Sequence, residues 1–209
     1  MHQSDKSLPS WLLIALFSFW VFATLIGLWW FQQDKLKAFA DLEADLEFFQ
    51  PQSIDLILRP YLVQADSMND NKNPENQRTL IHFWRPDCLC NRISQRHFAR
   101  LINQYSPEQL RIVIIAHPKS TNKEIDQLKM LNGDRFIVLK AGNDLLSLPS
   151  SPSLAIYDPS QNLNYFGPYG FGAFCNVRED GFLSSIIDSP NANSFTNVIG
   201  DGCFCSWKD

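Results

Sequence analysis

The segment that decides the fold is residues 79–90, which read TLIHFWRPDCLC. Residues 79–84 form a short apolar run, and such a run is typical of a buried strand. The turn-like tripeptide RPD follows, and apolar residues then recur at helical spacing as far as Tyr105. The order of these patterns predicts a buried strand, a tight turn and a helix.

Two cysteines lie at the predicted start of that helix. Asp87 is expected to be its N-cap, which makes Cys88 the first helical residue and Cys90 the third. Unpaired backbone N–H groups and the positive end of a helix stabilise a thiolate, so they lower the pKa of a thiol placed there. The carboxylate of Asp87 acts in the opposite direction.

The flanking sequence predicts a layered α/β domain with mixed strand directions. Apolar stretches predict further strands, a helix follows the second of them, and Asp158-Pro159-Ser160-Gln161 predicts a hairpin turn. The predicted strands after the first are 111–117, 135–140, 153–158 and 162–167, and the helix spans 123–131.

Four of the five cysteines form two Cys-x-Cys pairs. These are CLC at Cys88 and Cys90 and CFC at Cys203 and Cys205, and Cys175 is the fifth. Buried cysteines that act only as small apolar residues are not expected to cluster in this way. The spacing therefore indicates disulfide bonding or function.

The segment FWRPDCLC (83–90) resembles the active-site segment of the thioredoxin-like superfamily. Ser151-Pro152-Ser153 resembles the cis-proline segment that faces the cysteines in that superfamily, and the strand leading to FGPYG (166–170) resembles its closing hairpin. The resemblance covers roughly residues 76–190. It implies a thioredoxin-like fold, with a mixed central sheet flanked by helices.

The chain departs from the superfamily pattern at its cysteines. Cys-x-Cys replaces the usual Cys-x-x-Cys, and Asp87 stands where an aromatic residue is common. Residues two apart on a helix do not face each other, so a bond between Cys88 and Cys90 would be strained. Either the first helical turn is distorted, or these cysteines pair elsewhere, with Cys203 and Cys205 as the obvious partners.

Three functions remain open on this sequence. In a thiol–disulfide oxidoreductase acting on protein thiols or disulfides, Cys88 would attack, Cys90 or a C-terminal cysteine would resolve the mixed disulfide, and Pro152 would shape the substrate groove. In a metal-binding module, Cys88, Cys90, Cys203 and Cys205 would bind zinc or cuprous copper. In a scaffold, structural disulfides would support protein contacts alone, with the aromatic stretch 165–174 as a possible surface.

Residues Trp11 to Phe31 form an uncharged run of 21 residues. A helix of about this length spans the roughly 30 Å hydrocarbon layer of a membrane. Ala38-Phe39-Ala40 has the form of a signal-peptide cleavage site, but it lies far from the apolar run, so an uncleaved single-pass anchor is favoured. Lysines flank both ends of the run and leave its orientation undecided. Because disulfides persist in oxidising compartments, we expect an inner-membrane protein with a periplasmic soluble domain.

The predicted organisation is a tail (1–10), a transmembrane helix (11–31), a juxtamembrane helix with a linker (32–75) and a thioredoxin-like domain with a cysteine-containing extension (76–209). Within the third region, residues 34–49 are predicted to form a helix whose apolar stripe comprises Leu36, Phe39, Leu42 or Glu43, and Leu46. Residues 53–64 are predicted to form a strand interrupted by Pro60, and residues 66–78 are predicted to form a loop.

Composition excludes one class of partner. The net charge is −4 and no block of Lys or Arg appears, whereas nucleic-acid binding requires a basic face that neutralises phosphates. The glycines at 167, 170 and 172 do not sit between a strand and a helix, as a nucleotide-binding motif would require. No cofactor is predicted.

Overall fold

A computed structural model of the chain describes residues 9–40, 49–68, 76–132, 135–172, 181–189 and 194–208. The elements follow in the order α1 (Ser10–Lys35), β1 (Leu36–Ala38), α2 (Pro51–Ser67), β2 (Arg78–Trp84), α3 (Leu89–Gln104), β3 (Leu110–Ala116), α4 (Asn122–Asn132), β4 (Phe136–Lys140), a 3₁₀ turn (Asn143–Ser147), β5 (Ser150–Ser151), β6 (Ser153–Tyr157), β7 (Leu163–Pro168), α5 (Phe182–Asp188), β8 (Phe195–Thr196), β9 (Asp201–Cys203) and β10 (Cys205–Ser206).

The central sheet has six strands in the order β4-β3-β2-β6-β7-β8. β2, β3 and β4 run parallel, while β6 pairs antiparallel with both β2 and β7. β6 and β7 form the predicted hairpin, closed where the Asn162 N–H donates to Asp158 Oδ1 at 2.8 Å. The strands and helices expected between residues 79 and 167 are confirmed, with boundaries moved by a residue or two.

Each face of the sheet packs a separate core, because successive side chains on a strand point to opposite faces. Leu80 belongs to the core that contains Phe98 and Leu101 of α3. Ile81 belongs to the core that α2 covers together with Phe204 and Trp207 near the C-terminus. The fold therefore brings the two ends of the domain onto the same face.

The prediction of a strand at 53–64 is wrong, since these residues lie within helix α2. The buried residues of α2 recur at helical spacing, and they are Ile54, Leu58, Tyr61, Leu62 and Ala65. Pro60 is exposed within the helix rather than marking a break between two strands. The apolar face that α2 buries outweighs the helix-breaking tendency of the proline.

The predicted juxtamembrane helix is also wrong where the structure describes it. Leu36–Ala38 form strand β1, which pairs antiparallel with β9 so that Leu36 lies opposite Cys203. Phe39 is 1% exposed and packs against Phe204 with ring centroids 5.0 Å apart. The rest of the stripe, Leu42, Glu43 and Leu46, lies outside the described residues. The pairing partner is more than 160 residues away, so local periodicity could not reveal it.

The loop predicted at 66–78 is shorter than expected, because α2 continues to Ser67 and β2 begins at Arg78. The core on the α2 face also contains Phe39 and Phe49, which precede residue 76. The domain boundary at residue 76 stays a prediction.

Helix α1 contains one segment, Ser10–Trp30, that is long and apolar enough to cross a membrane. Its mean hydropathy is 2.2, and none of it is buried against the rest of the protein. Large apolar side chains such as Trp20 and Trp30 are exposed. By length and composition this helix suits a membrane anchor or a signal sequence.

Candidate redox site

The two Cys-x-Cys pairs meet at the start of α3. Cys88 is bonded to Cys205 and Cys90 to Cys203, with Cα–Cα distances of 6.0 and 5.5 Å. The sequence left open whether the CLC cysteines bond to each other, and the structure joins each to a cysteine of CFC. Cys175 lies outside the described residues.

The helix begins one residue later than predicted. Cys88 is the N-cap, with extended backbone angles of φ −85° and ψ 114°, and Leu89 is the first helical residue. Asp87 does not cap the helix, because its carboxylate pairs with the Arg85 guanidinium at 2.8 Å. That pairing lowers the pKa of Asp87. Cys88 therefore still lies at the positive end of the helix, beside a carboxylate whose charge is partly balanced.

The cis peptide bond between Ser151 and Pro152 faces the first disulfide. The Sγ atom of Cys88 lies 3.7 Å from the carbonyl oxygen of Ser151. Ser151 is fully buried and its hydroxyl donates to the carbonyl of Phe83 at 3.2 Å. The structure thus places Pro152 next to Cys88, as the resemblance implied.

Asn91 links the start of α3 to the cis-proline segment. Its Oδ1 accepts a hydrogen bond from the Ser151 hydroxyl at 3.1 Å, and its Nδ2 donates to the carbonyl of Arg85. Sequence reasoning missed this residue. Its position directly after Cys90 was the only signal, and a polar residue on the first turn of a helix is too common to single out.

The C-terminal strand completes the site. β10 pairs antiparallel with β5, so that Cys205 lies opposite Ser151 and Ser206 opposite Ser150. The Arg85 guanidinium also donates to the carbonyl of Ser206. This short strand lies on the exposed edge of the cis-proline segment, beside the Cys88–Cys205 bond. Local sequence patterns did not predict this strand.

Two aromatic residues anchor that strand in the core. Trp207 is fully buried, packs edge-on against Phe83 at 5.8 Å, and offers its carbonyl to His117 Nε2 at 2.9 Å. Burial lowers the pKa of His117, and its Nε2–H donates to the Trp207 carbonyl because a carbonyl oxygen can only accept. Phe204 is 3% exposed. The segment around Cys205 is therefore held by packing as well as by disulfides.

The four bonded cysteines differ in accessibility. Cys88, Cys90 and Cys203 are only 2%, 6% and 5% exposed, whereas Cys205 is partly exposed. The Sγ atoms of Cys88, Cys90 and Cys205 all lie within 4.8 Å of one another. The site is thus a compact sulfur cluster with one partly accessible member.

A cavity of about 550 Å³ opens between α3 and α4 beside Cys88. Its walls combine aromatic and aliphatic residues, such as Phe98 and Leu128, with the charged groups of Arg85, Arg92 and Glu124. Such a cavity can accept a side chain of a bound molecule next to the disulfide.

A family model described as a domain of unknown function, DUF6436, matches residues 60–207. The chain belongs to this family. No curated protein sequence matches the chain.

Several solved structures are similar to this chain. A hypothetical protein, SMc02350, from Sinorhizobium meliloti 1021 is 15% identical over 70% of this chain and 83% of its own, with a TM-score of 0.50. A thioredoxin-like protein from Aeropyrum pernix is 17% identical over 56% of this chain and 79% of its own, with a TM-score of 0.43. A secreted disulfide oxidoreductase of Mycobacterium tuberculosis is 14% identical over 53% of this chain and 80% of its own, with a TM-score of 0.39.

The fold is thioredoxin-like, as the sequence resemblance implied. Within the chain itself, the strand-turn-cysteine-helix order of β2 and α3, the cis Ser151–Pro152 bond and the β6–β7 hairpin occupy the expected places. The mixed central sheet flanked by helices is confirmed.

Proposed function

We propose that this chain is a membrane-anchored thiol–disulfide oxidoreductase in which the Cys88–Cys205 disulfide oxidises thiols of extracytoplasmic proteins. The observation that carries the proposal is the position of this bond, between the start of α3 and the cis-proline segment. Cys88 and Pro152 would then act together, with Cys205 as the exchanging partner.

The helix start favours Cys88 as the leaving group. In thiol–disulfide exchange a thiolate attacks one sulfur and displaces the other, and the displacement is faster when the leaving thiol has a low pKa. The N-cap position supplies unpaired N–H groups and the positive end of the dipole. An incoming thiolate would therefore attack the partly exposed sulfur of Cys205 and release Cys88.

The pairing of strand β1 with β9 and the burial of Phe39 support an uncleaved anchor. Cleavage after Ala40 would remove β1, which pairs with β9, and Phe39, which is 1% exposed in the core. Helix α1 runs directly into β1, so the anchor would hold the redox site close to the membrane surface. We propose that the soluble domain faces the periplasm, where disulfides persist.

The exchange reaction is tested by oxidation of a peptide that carries two cysteines. The full chain in detergent is expected to convert the dithiol peptide to its disulfide, and Cys88→Ser is expected to lose at least about 100-fold in rate. Ser206→Ala is the matched control, because Ser206 meets Arg85 through its backbone carbonyl. Equal rates for Cys88→Ser and the wild type would exclude Cys88 from the reaction.

The anchor is tested separately. The full chain is expected to resist extraction by alkaline carbonate and to require detergent, whereas a chain beginning at residue 36 is expected to be soluble. If N-terminal sequencing showed that the mature protein begins at Asp41, the uncleaved anchor would be contradicted.

Metal binding is the second candidate function, and the closeness of three sulfurs favours it. Cys88, Cys90 and Cys205 approach one another within 4.8 Å, and Cys203 is bonded to Cys90. After reduction, four thiolates would suit zinc or cuprous copper. Titration of the reduced full chain with either ion, followed by elemental analysis after desalting, is expected to retain about one ion per chain. Loss of all metal on desalting would exclude this function.

A further inference from the structure

We propose that the Cys90–Cys203 disulfide is a second, internal electron acceptor, which reoxidises Cys88 and Cys205 after they have oxidised a substrate. This inference rests on the proposed function of the Cys88–Cys205 bond. It assigns a catalytic part to Cys90 and Cys203, which would otherwise be a structural cross-link.

Burial and distance together carry this inference. Cys90 and Cys203 are 6% and 5% exposed, so a protein thiol has little direct access to their bond. However, Sγ of Cys90 lies within 4.8 Å of Sγ of both Cys88 and Cys205. Exchange requires direct approach of one sulfur to another. Electrons therefore reach the inner disulfide through the two sulfurs of the outer one.

The contacts that hold the four cysteines together do not depend on the outer disulfide, so we expect the geometry to persist when that bond is open. Phe204 and Trp207 are 3% and 0% exposed and hold the segment around Cys205 in the core. Backbone pairing joins β10 to β5 and β9 to β1 independently of the disulfides. The four sulfurs consequently stay near one another after reduction, which favours exchange among them over release of the C-terminal strand.

The first half of the reaction reduces the outer disulfide. A substrate thiolate attacks Sγ of Cys205, so that a substrate–Cys205 bond forms, the Cys88–Cys205 bond breaks, and Cys88 leaves as a thiolate. The second substrate thiol attacks the substrate sulfur of this mixed disulfide, and Cys205 leaves. The substrate dithiol has lost two electrons and two protons, and Cys88 and Cys205 have gained them.

The second half transfers the oxidation inward. The Cys205 thiolate attacks Sγ of Cys90, so a Cys90–Cys205 bond forms and Cys203 leaves. The Cys88 thiolate then attacks Sγ of Cys205, which restores the Cys88–Cys205 bond and releases Cys90. Cys90 and Cys203 take the two protons that Cys88 and Cys205 give up. No external oxidant is needed, and the outer disulfide is ready for a second substrate.

The relay predicts a capacity of two substrate dithiols per chain, because each of the two disulfides accepts two electrons. The experiment mixes the oxidised full chain in detergent with excess dithiol peptide, quenches samples with acid over time, and labels free thiols with a maleimide. Peptide mapping is expected to show label first on Cys88 and Cys205 and later on Cys90 and Cys203, with about two peptides oxidised per chain.

A matched variant separates the relay from direct attack. In Cys88→Ser/Cys205→Ser the inner disulfide is retained but its internal partners are gone, so its reduction by the peptide is expected to be at least about 10-fold slower than in the wild type. Reduction at the wild-type rate would overturn the relay. If this variant does not fold, the wild type with one equivalent of peptide decides: the relay moves the free thiols from Cys88 and Cys205 to Cys90 and Cys203, and label that stays on Cys88 and Cys205 would overturn it.

The outcomes also distinguish the relay from the function on which it rests. Label confined to Cys88 and Cys205 at all times, with about one peptide oxidised per chain, would overturn the relay and leave the proposed function standing. No peptide oxidation and no label on any of the four bonded cysteines would overturn both.

Discussion

Cys205 lies opposite Ser151 in an antiparallel backbone pair, and its sulfur is bonded to Cys88, whose Sγ lies 3.7 Å from the Ser151 carbonyl oxygen. The C-terminal strand thus occupies the open edge of the cis-proline segment and covers Cys88. Cys205 is partly exposed, whereas Cys88 is 2% exposed and lines the cavity between α3 and α4. Cys205 is therefore the more exposed end of this disulfide, and we expect an incoming thiol to react there first.

This relationship predicts the position of the first mixed disulfide. When the wild-type protein reacts briefly with a small monothiol, the adduct is expected on Cys205 in at least about 10-fold excess over Cys88, because the Cys88 sulfur is buried. Acid quenching followed by peptide mass spectrometry measures the ratio. An adduct found mainly on Cys88 would show that the strand moves aside before reaction.

Asn91→Ala is expected to weaken the contact between α3 and the cis-proline segment. The change removes one of the two acceptors within reach of the Ser151 hydroxyl, the other being the Phe83 carbonyl, and it removes the donor to the Arg85 carbonyl. Loss of buried hydrogen bonds of this kind lowers the free energy of unfolding by about 1–3 kcal/mol. Urea unfolding of the detergent-solubilised chain, followed by tryptophan fluorescence, measures the loss.

Gln95→Ala provides the control for that measurement, since Gln95 is exposed on the same helix. Its effect is expected to stay within about 0.5 kcal/mol. If the two variants were equally stable, Asn91 would not hold the two segments together.

The two disulfides are expected to stabilise the protein non-additively. Their loops span sequence separations of 117 and 113 residues and enclose nearly the same chain. Either bond alone is expected to contribute about 5 kcal/mol by restricting the unfolded chain, but the second then closes a ring of only about six residues and adds about 2 kcal/mol.

Serine variants measure this difference. Cys90→Ser/Cys203→Ser and Cys88→Ser/Cys205→Ser are each expected to lose about 2 kcal/mol, and the variant lacking all four cysteines about 7 kcal/mol. Denaturant unfolding under non-reducing conditions gives each value. If removing the first disulfide and then the second lowered the free energy of unfolding by equal amounts, the two bonds would act independently.

His82 predicts a pH dependence of stability. Its side chain is 5% exposed, Nδ1 and the Tyr169 hydroxyl are hydrogen-bonded at 2.9 Å, and burial lowers the pKa of His82 from 6.5 to about 3. The unfolded chain therefore binds a proton at higher pH than the folded protein. The contribution of His82 to the free energy of unfolding is fully present above about pH 6.5. It falls by about 1.4 kcal/mol per pH unit as the pH decreases toward about 3.

The slope of stability against pH between about 7 and 5 checks this expectation. His82→Phe/Tyr169→Phe removes the titrating ring without leaving the hydroxyl unpaired, and it is expected to flatten the slope. Tyr169→Phe alone retains His82 and is expected to retain the slope. The same slope in all three proteins would assign the pH dependence to other groups.

Local patterns were sufficient for the strand-turn-helix unit around Cys88, for the β6–β7 hairpin and for the apolar helix α1. The spacing of apolar residues that marks a strand or a helix involves only neighbouring residues. The spacing within residues 79–105 was therefore sufficient to predict this strand and this helix. The prediction for 53–64 was wrong because Pro60 was interpreted as a break, although the apolar residues around it follow the helical period. The N-cap prediction was wrong by one residue because Asp87 pairs with Arg85.

Local patterns were enough to predict a thioredoxin-like strand and helix with cysteines at their junction, and two cysteine pairs far apart in the chain. The packing of the folded chain sets which cysteine bonds to which, that β1 pairs with β9, and that β10 covers the cis-proline segment. These contacts join residues separated by about 50 to 170 positions. They depend on how both cores bring the chain ends together, and no local period encodes that.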